Sequence, residues 1–415
     1  MGRNMQNQED FQIMQSETRS YRRTITASFI GYVVQAAICS LAPLLYVQFR
    51  SEFSLTLDQI SLMITITFFT QLLVDLTSSP VVARFSCRAC IVAAHFLAAA
   101  GFFLMSVLPD VLPSAYAGLL IAAIIYSLGA GLIEVLVSPI IEACPTKRKN
   151  AMMNLLHSCF AWGQVVVILG STLFFSLAGI AQWRWLARIW ALVPLCNAFV
   201  FLGAPIVPFG EQSAPAGQMR SLLRSGLFWL LLVIMITAGA SELAVSQWAS
   251  TMAESGLGVS KAVGDLAGPC LFGVFMGLGR LIGARFDDGA QLRVMTGASV
   301  LTILSFLLIA LAPIPALSLA GCALCGFAVS VSWPMTLGLA ARALPQGGMA
   351  LFALLAFGGD IGCTSGPSFA GLVAARCGDD LQMGILWATV FPLLMLAALL
   401  GVGRKMKRKR LKASP

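Results

Sequence analysis

Residues 112–143 read LPSAYAGLLIAAIIYSLGAGLIEVLVSPIIEA. The run contains no lysine or arginine, and its only acids are Glu134 and Glu142. At a rise of about 1.5 Å per residue, a helix of this length exceeds the ~30 Å hydrocarbon core of a bilayer. Backbone amides in lipid must be bonded within their own segment, so the run is a helix. The strict alternation of a membrane β-strand is absent. A carboxylate inside such a helix is expensive unless it faces a partner or water, which makes Glu134 a functional candidate by default.

The rest of the chain extends the pattern. Of 415 residues, 58% are hydrophobic and only 11% are charged, and the mean hydropathy is +0.86. Soluble domains carry about 45–50% apolar and about 25% charged residues. A soluble enzyme, a disordered chain and a nucleic-acid binder are excluded. Twelve stretches are long and apolar enough to span: about 24–49, 57–83, 87–108, 112–143, 149–176, 184–206, 225–253, 262–284, 291–312, 315–343, 347–376 and 383–403. The polar residues 1–20 and the long first run argue against a cleavable leader. The expected class is an all-α integral membrane protein with twelve transmembrane helices.

Basic residues set the orientation. With the N-terminus in the cytoplasm, 22 of the 27 lysines and arginines fall on that side; Arg50, Arg184, Arg188, Lys261 and Arg376 fall outside. Both termini are therefore expected inside, in the plasma or inner membrane. The run at 404–412 reads as a topology anchor against anionic lipid. The longest polar interruption suggests a cytoplasmic tail at 1–23, a six-helix bundle at 24–206, a linker at 207–224, a second six-helix bundle at 225–403 and a basic tail at 404–415. Echoes support two halves: Ala83-Arg84-Phe85 against Ala284-Arg285-Phe286, Gly131…Pro139 against Gly326…Pro334, and Ala161-Trp162-Gly163-Gln164 against Phe357-Gly358-Gly359-Asp360. Repeated halves with a midplane site are a mark of secondary transporters.

The layout resembles the major facilitator superfamily. Its signature between spans two and three reads roughly G-x-L-x-D-R-x-G-R; here Arg84 and Arg88 are retained, while the acid is Ala83 and the second glycine is Ser86. Gly131-Leu132-Ile133-Glu134, Ser138-Pro139 and Asn154-Leu155-Leu156-His157-Ser158 look like the fucose/galactose/glucose–proton symporter family. That resemblance implies the major facilitator fold, proton-coupled sugar symport by alternating access, and a functional acid at Glu134. The family's first-span acid has no counterpart: the aligned position is Pro43, ahead of Val47-Gln48-Phe49.

The buried polar residues supply the candidate site. Glu134 and His157 are candidates for proton coupling, since a desolvated carboxylate binds its proton more readily and an imidazole titrates near neutral pH. They lie about 13 and 10 residues from the loop around Lys147, hence at similar depth, roughly 15–20 Å from it. Gln35, Asn154, His157, Gln164, Glu242, Gln247, Trp248 and Asp360 are candidates for substrate binding. Amides and carboxylates suit hydroxyl groups, and an aromatic ring suits a sugar's apolar face. Asp75 and Arg84 are candidates for gating. His95 reads as peripheral, and Glu142 and Asp265 as interfacial. Eleven cysteines, mostly within apolar runs, do not form a disulfide framework. Cys322 and Cys325 read as a helix contact. No phosphate loop and no metal-ligand spacing occurs, so no cofactor is expected beyond a proton gradient, with sodium the other choice. The expected partners are a small solute and the bilayer, no nucleic acid, with the chain a monomer. A drug or metabolite exporter of the same fold is the alternative function.

Overall fold

The computed structural model describes residues 2–145, 149–207, 216–286 and 289–413. Lys147 and Arg148 of the basic loop, and 208–215 of the expected linker, lie outside them. The described residues contain no strand. The membrane helices are α1 (Tyr21–Phe53), which prolongs a helix starting at Gly2, α2 (Leu57–Phe85), α3 (Cys87–Met105), α4 (Ala115–Ala143), α5 (Lys149–Ala178) and α6 (Ile180–Leu202). They continue with α7 (Gly226–Gly256), α8 (Lys261–Gly283), α9 (Gln291–Leu311), α10 (Pro315–Ala343), α11 (Gly348–Arg376) and α12 (Leu381–Lys407). Among the described residues eleven of these are long and apolar enough to span, and α11 adds a helix of 29 residues at the remaining stretch read from the sequence. The chain is a multi-pass membrane protein.

Several helices are interrupted where the sequence removes a backbone donor or needs a turn. Pro43 opens a 3₁₀ turn at Ala42–Leu45 within α1. In α8 a π-turn at Leu266–Cys270 accommodates Pro269, and α7 carries a second π-turn at Met252–Gly256; such turns are frequent at functional sites. Pro139 and Pro367 sit inside unbroken helices. Ser86, in the loop before α3, has φ +70°, a backbone region that favours glycine, and its hydroxyl accepts from the Ala89 N–H at 3.4 Å. Arg88 caps the end of α6 by donating to the carbonyls of Phe201 and Leu202 at 3.3 and 2.8 Å.

The chain forms two compact units, and they do not coincide with the two sequence halves. The first comprises residues 1–39, 73–164 and 182–211; the second comprises 40–72, 165–181 and 212–415. The far end of α1, the near end of α2 and the last turns of α5 thus belong with α7–α12.

Within the first unit, His95 on α3 is wholly buried. Its Nδ1 bonds the Ile91 carbonyl at 2.8 Å and so carries the proton; Nε2 then accepts from Asn197 Nδ2 at 2.9 Å, and the same amide donates to the Ala27 carbonyl at 2.9 Å. This neutral tautomer ties α3, α6 and α1 together. At a polar loop, Arg184 donates twice to Asp110, at 2.6 and 2.7 Å, and these bonds hold the Asp110 carboxyl below the usual carboxylate range.

Within the second unit, α7 and α11 meet along a seam of glycines. A Cβ on Gly362 would lie 1.9 Å from the Ile236 carbonyl oxygen, and one on Gly366 would lie 2.2 Å from that of Ala240. Small residues allow this backbone contact, which replaces the hydrophobic driving force that lipid cannot supply. Gly362→Ala should therefore lower stability by about 1–3 kcal/mol, the cost of overpacking. Gly297→Ala, with nothing within 4 Å of the added atom, should be neutral or stabilising. Thermal melting of the two variants in detergent checks this, and equal melting temperatures would contradict the seam.

Candidate functional site

Tyr32 and Gln35 lie three residues apart on α1, so they share one face. Gln35 Nε2 donates to Glu134 Oε2 on α4 at 3.0 Å. The Tyr32 hydroxyl shares a hydrogen bond with Ser138 Oγ, one turn beyond Glu134, at 3.1 Å. The Tyr32 ring meets His157 of α5 edge-on, with centroids 5.4 Å apart and planes at 87°. Asp75, on α2, lies close enough for its charge to act on Glu134. Gln35 and Tyr32 are buried, Glu134 is half-buried and His157 is exposed. All of these belong to the first unit. The arrangement assembles an acid, a second carboxyl, an imidazole, and an amide and a phenol that orient them. It can hold a proton and pass it on, and it offers hydroxyl-binding groups beside it.

The structure thus joins three of the sequence candidates, Gln35, Glu134 and His157, through Tyr32, a residue the sequence reading passed over. The signal was available: Tyr32 stands one turn before Gln35 in an otherwise apolar helix. Asp75, read as a gate residue, sits beside Glu134. Gln164 is buried on α5. Asn154 lies on α5 with its side chain outside the described residues. Arg84 is exposed at the end of α2, with its guanidinium 5.5 Å over the Phe85 ring.

The second unit holds the remaining candidates. Glu242 on α7 is half-buried, and Arg280 on α8 is close enough for its charge to act on it. Arg280 lies in the last turn of α8, half-buried, where a guanidinium needs such a partner. Asp360 on α11 is half-buried and adjoins Gly359, against which Trp333 of α10 packs so closely that a Cβ would lie 2.1 Å from the ring. Gln247 is buried and accepts from the Tyr46 hydroxyl at 3.5 Å. Trp248 has no exposed surface: its N–H donates to the Pro367 carbonyl at 2.8 Å, and its ring leans on Tyr46.

A third cluster joins the far ends of the helices within the second unit. Lys261, at the start of α8, reaches Asp265 at 2.7 Å and Glu254 at 2.9 Å. Ser250 donates to Asp265 at 2.5 Å, and Thr172 of α5 donates to it at 3.4 Å. Asp265, expected at the interface, is fully buried; two hydroxyl donors and an ammonium compensate it, close to the π-turns of α7 and α8. The i, i+4 spacing of Lys261 and Asp265 was the sequence signal. Thr65 of α2 bonds Ser368 of α11 at 2.6 Å, and Arg50 of α1 pairs with Asp379. These contacts involve only the ends of odd-numbered helices and the starts of even-numbered ones, with the residues next to them, so they lie on one membrane face.

The cluster holds two carboxyls for one ammonium. Lys261→Met would leave Glu254 and Asp265 unbalanced and should cost about 3–5 kcal/mol, whereas Asp265→Asn leaves a matched Glu254–Lys261 pair and should cost less. Thermal melting distinguishes them; a larger loss in Asp265→Asn would refute this charge balance.

The family model of the Major Facilitator Superfamily matches residues 25–367. Among solved structures, the Escherichia coli fucose:proton symporter FucP superposes with a TM-score of 0.63 at 15% identity, covering 92% of this chain and 99% of that one. A D-xylose–proton symporter superposes with a TM-score of 0.72 at 14% identity, covering 92% and 97%. No curated protein matches the chain by sequence.

Proposed function

This chain belongs to the Major Facilitator Superfamily, and from that premise we propose that it is a secondary active transporter that couples proton movement to uptake of a sugar or similar small polar solute. The observation that carries the reading is the Glu134 cluster: a mid-helix carboxyl bonded to Gln35, with Asp75 and the Tyr32–His157 pair beside it. Two neighbouring carboxyls repel when both are charged, so holding one proton between them is favoured, and releasing it requires a change of surroundings. Alternating access supplies that change. The fold shared with a fucose and a xylose symporter, each proton-linked by name, agrees with a polyhydroxylated substrate.

In this reading the far-end contacts of α1, α2 and α5 with α7, α8 and α11 form the closed outer gate. Trp248, Tyr46 and Gln247 seal it, and the Lys261 cluster and the Arg50–Asp379 pair fasten it. With both termini in the cytoplasm, the side to which most basic residues point, this gate faces outward. Gln35, His157, Gln164, Glu242 and Asp360 offer the polar groups for the solute, with Arg280 balancing Glu242. The working unit is one chain.

The substrate class is tested by thermal shift of the purified protein against sugars, amino acids, nucleosides and amphipathic drugs at two pH values. Stabilisation by a neutral sugar, stronger at the acidic pH, is expected; stabilisation by drugs alone would identify an exporter instead. Coupling is tested separately in proteoliposomes. Glu134→Gln should reduce uphill, pH-driven uptake to background while counterflow exchange survives within a few fold. Uphill uptake retained by this variant would remove Glu134 from coupling.

A further inference from the structure

The groove between the start of α7 and the end of α12 lies far from the Glu134 cluster in sequence and takes no part in the transport reading. It has a volume of about 660 Å³. Its floor is apolar, formed by Leu230 and Val233 of α7 and by Gly401 of α12. Gly401 keeps it open: a Cβ there would already lie 3.3 Å from the Leu230 methyls. Its rim is cationic, formed by Arg404, Lys405 and Lys407 in the last turns of α12. All three are exposed, and none forms an ion pair among the described residues. Lys405 leans over Gly226, where a Cβ would lie 2.5 Å from its Nζ, and so brings its ammonium to the first residue of α7. The N-terminal end of a helix carries a partial positive charge of its own.

Trp229 stands beside the rim, about half exposed (49%), with its indole N–H donated to the Leu223 carbonyl at 2.8 Å. A tryptophan fixed this way marks the level of the headgroups. The floor therefore faces acyl chains and the rim faces phosphates. An inorganic anion would account for the cations but not for the open apolar trench beneath them. A neutral lipid would account for the trench but not for three unpaired cations at its mouth.

We propose that this groove is a binding site for one anionic phospholipid, with an acyl chain along Leu230, Val233 and Gly401 and its phosphate among Arg404, Lys405 and Lys407. The lipid would bridge the start of α7 and the exit of α12 on the cytoplasmic leaflet. Juxtamembrane cations are attracted to an anionic surface; the trench adds selection for a single bound molecule over a diffuse layer.

Native mass spectrometry of the full-length protein, titrated with phosphatidylglycerol and with phosphatidylcholine of the same chains, tests this. One phosphatidylglycerol should be retained at least 10-fold more tightly than phosphatidylcholine. R404Q/K405Q/K407Q should remove that preference, and Gly401→Leu, which fills the trench and leaves the charge unchanged, should weaken retention of the same lipid. The charge-matched control R285Q/R293Q/R342Q should keep it. Equal losses in the control, unchanged retention in R404Q/K405Q/K407Q, or unchanged retention in Gly401→Leu would each overturn the site. So would displacement by millimolar inorganic phosphate, which would make it a phosphate site. A dimer abolished by the groove variants would assign the groove to a second copy of the chain.

Discussion

A carboxyl carried to the depth of the hydrocarbon must find donors, a counter-charge or water, and this chain places four there or close by: Asp75, Glu134, Glu242 and Asp360. How each is compensated orders the rest of the molecule. Glu134 draws Gln35 across from α1, and Tyr32 follows on the same face to reach Ser138 and His157. Glu242 draws Arg280 into α8. Asp265 goes further: its burial depends on Lys261, Ser250 and Thr172 together. The polar residues thus help to dictate which helices are neighbours, a matter that hydropathy alone leaves open.

The same constraint separates the kinds of contact. Along the α7–α11 seam the chain uses glycines and bare backbone, a contact that gains from tight fit and is lost with a single methyl group. At the far ends of α1, α2 and α5 it uses single hydrogen bonds and ion pairs to α7, α8 and α11. A seam built of close-packed backbone does not come apart without large cost, whereas a handful of polar contacts can be exchanged for water. The two kinds of contact therefore differ in what it costs to separate them.

The helices were legible in the sequence because hydropathy and length act locally. The site was legible only in part. Glu134 and Gln35 stand out as polar residues in apolar runs, but that Gln35 bonds Glu134 depends on how α1 crosses α4, which no local pattern contains. Arg280 stands near the end of its run, where positive charge is expected, but that it faces Glu242 depends on how α8 packs against α7. Trp248 resembled a solute-covering ring, yet it is wholly enclosed. Whether an aromatic residue faces solute, lipid or protein is a property of packing and cannot be read from its neighbours in the chain.

The loop before α3 shows what a degraded motif can still preserve. The superfamily signature has a glycine where this chain has Ser86, and an acid where it has Ala83. Ser86 nonetheless keeps the left-handed backbone that a glycine would take at lower cost, and it adds a side-chain cap to α3. Arg88 closes the other side by capping α6. The turn geometry and the helix tie therefore persist without the acid. The loop's shape thus rests on the Ser86 backbone and cap and on the Arg88 tie to α6.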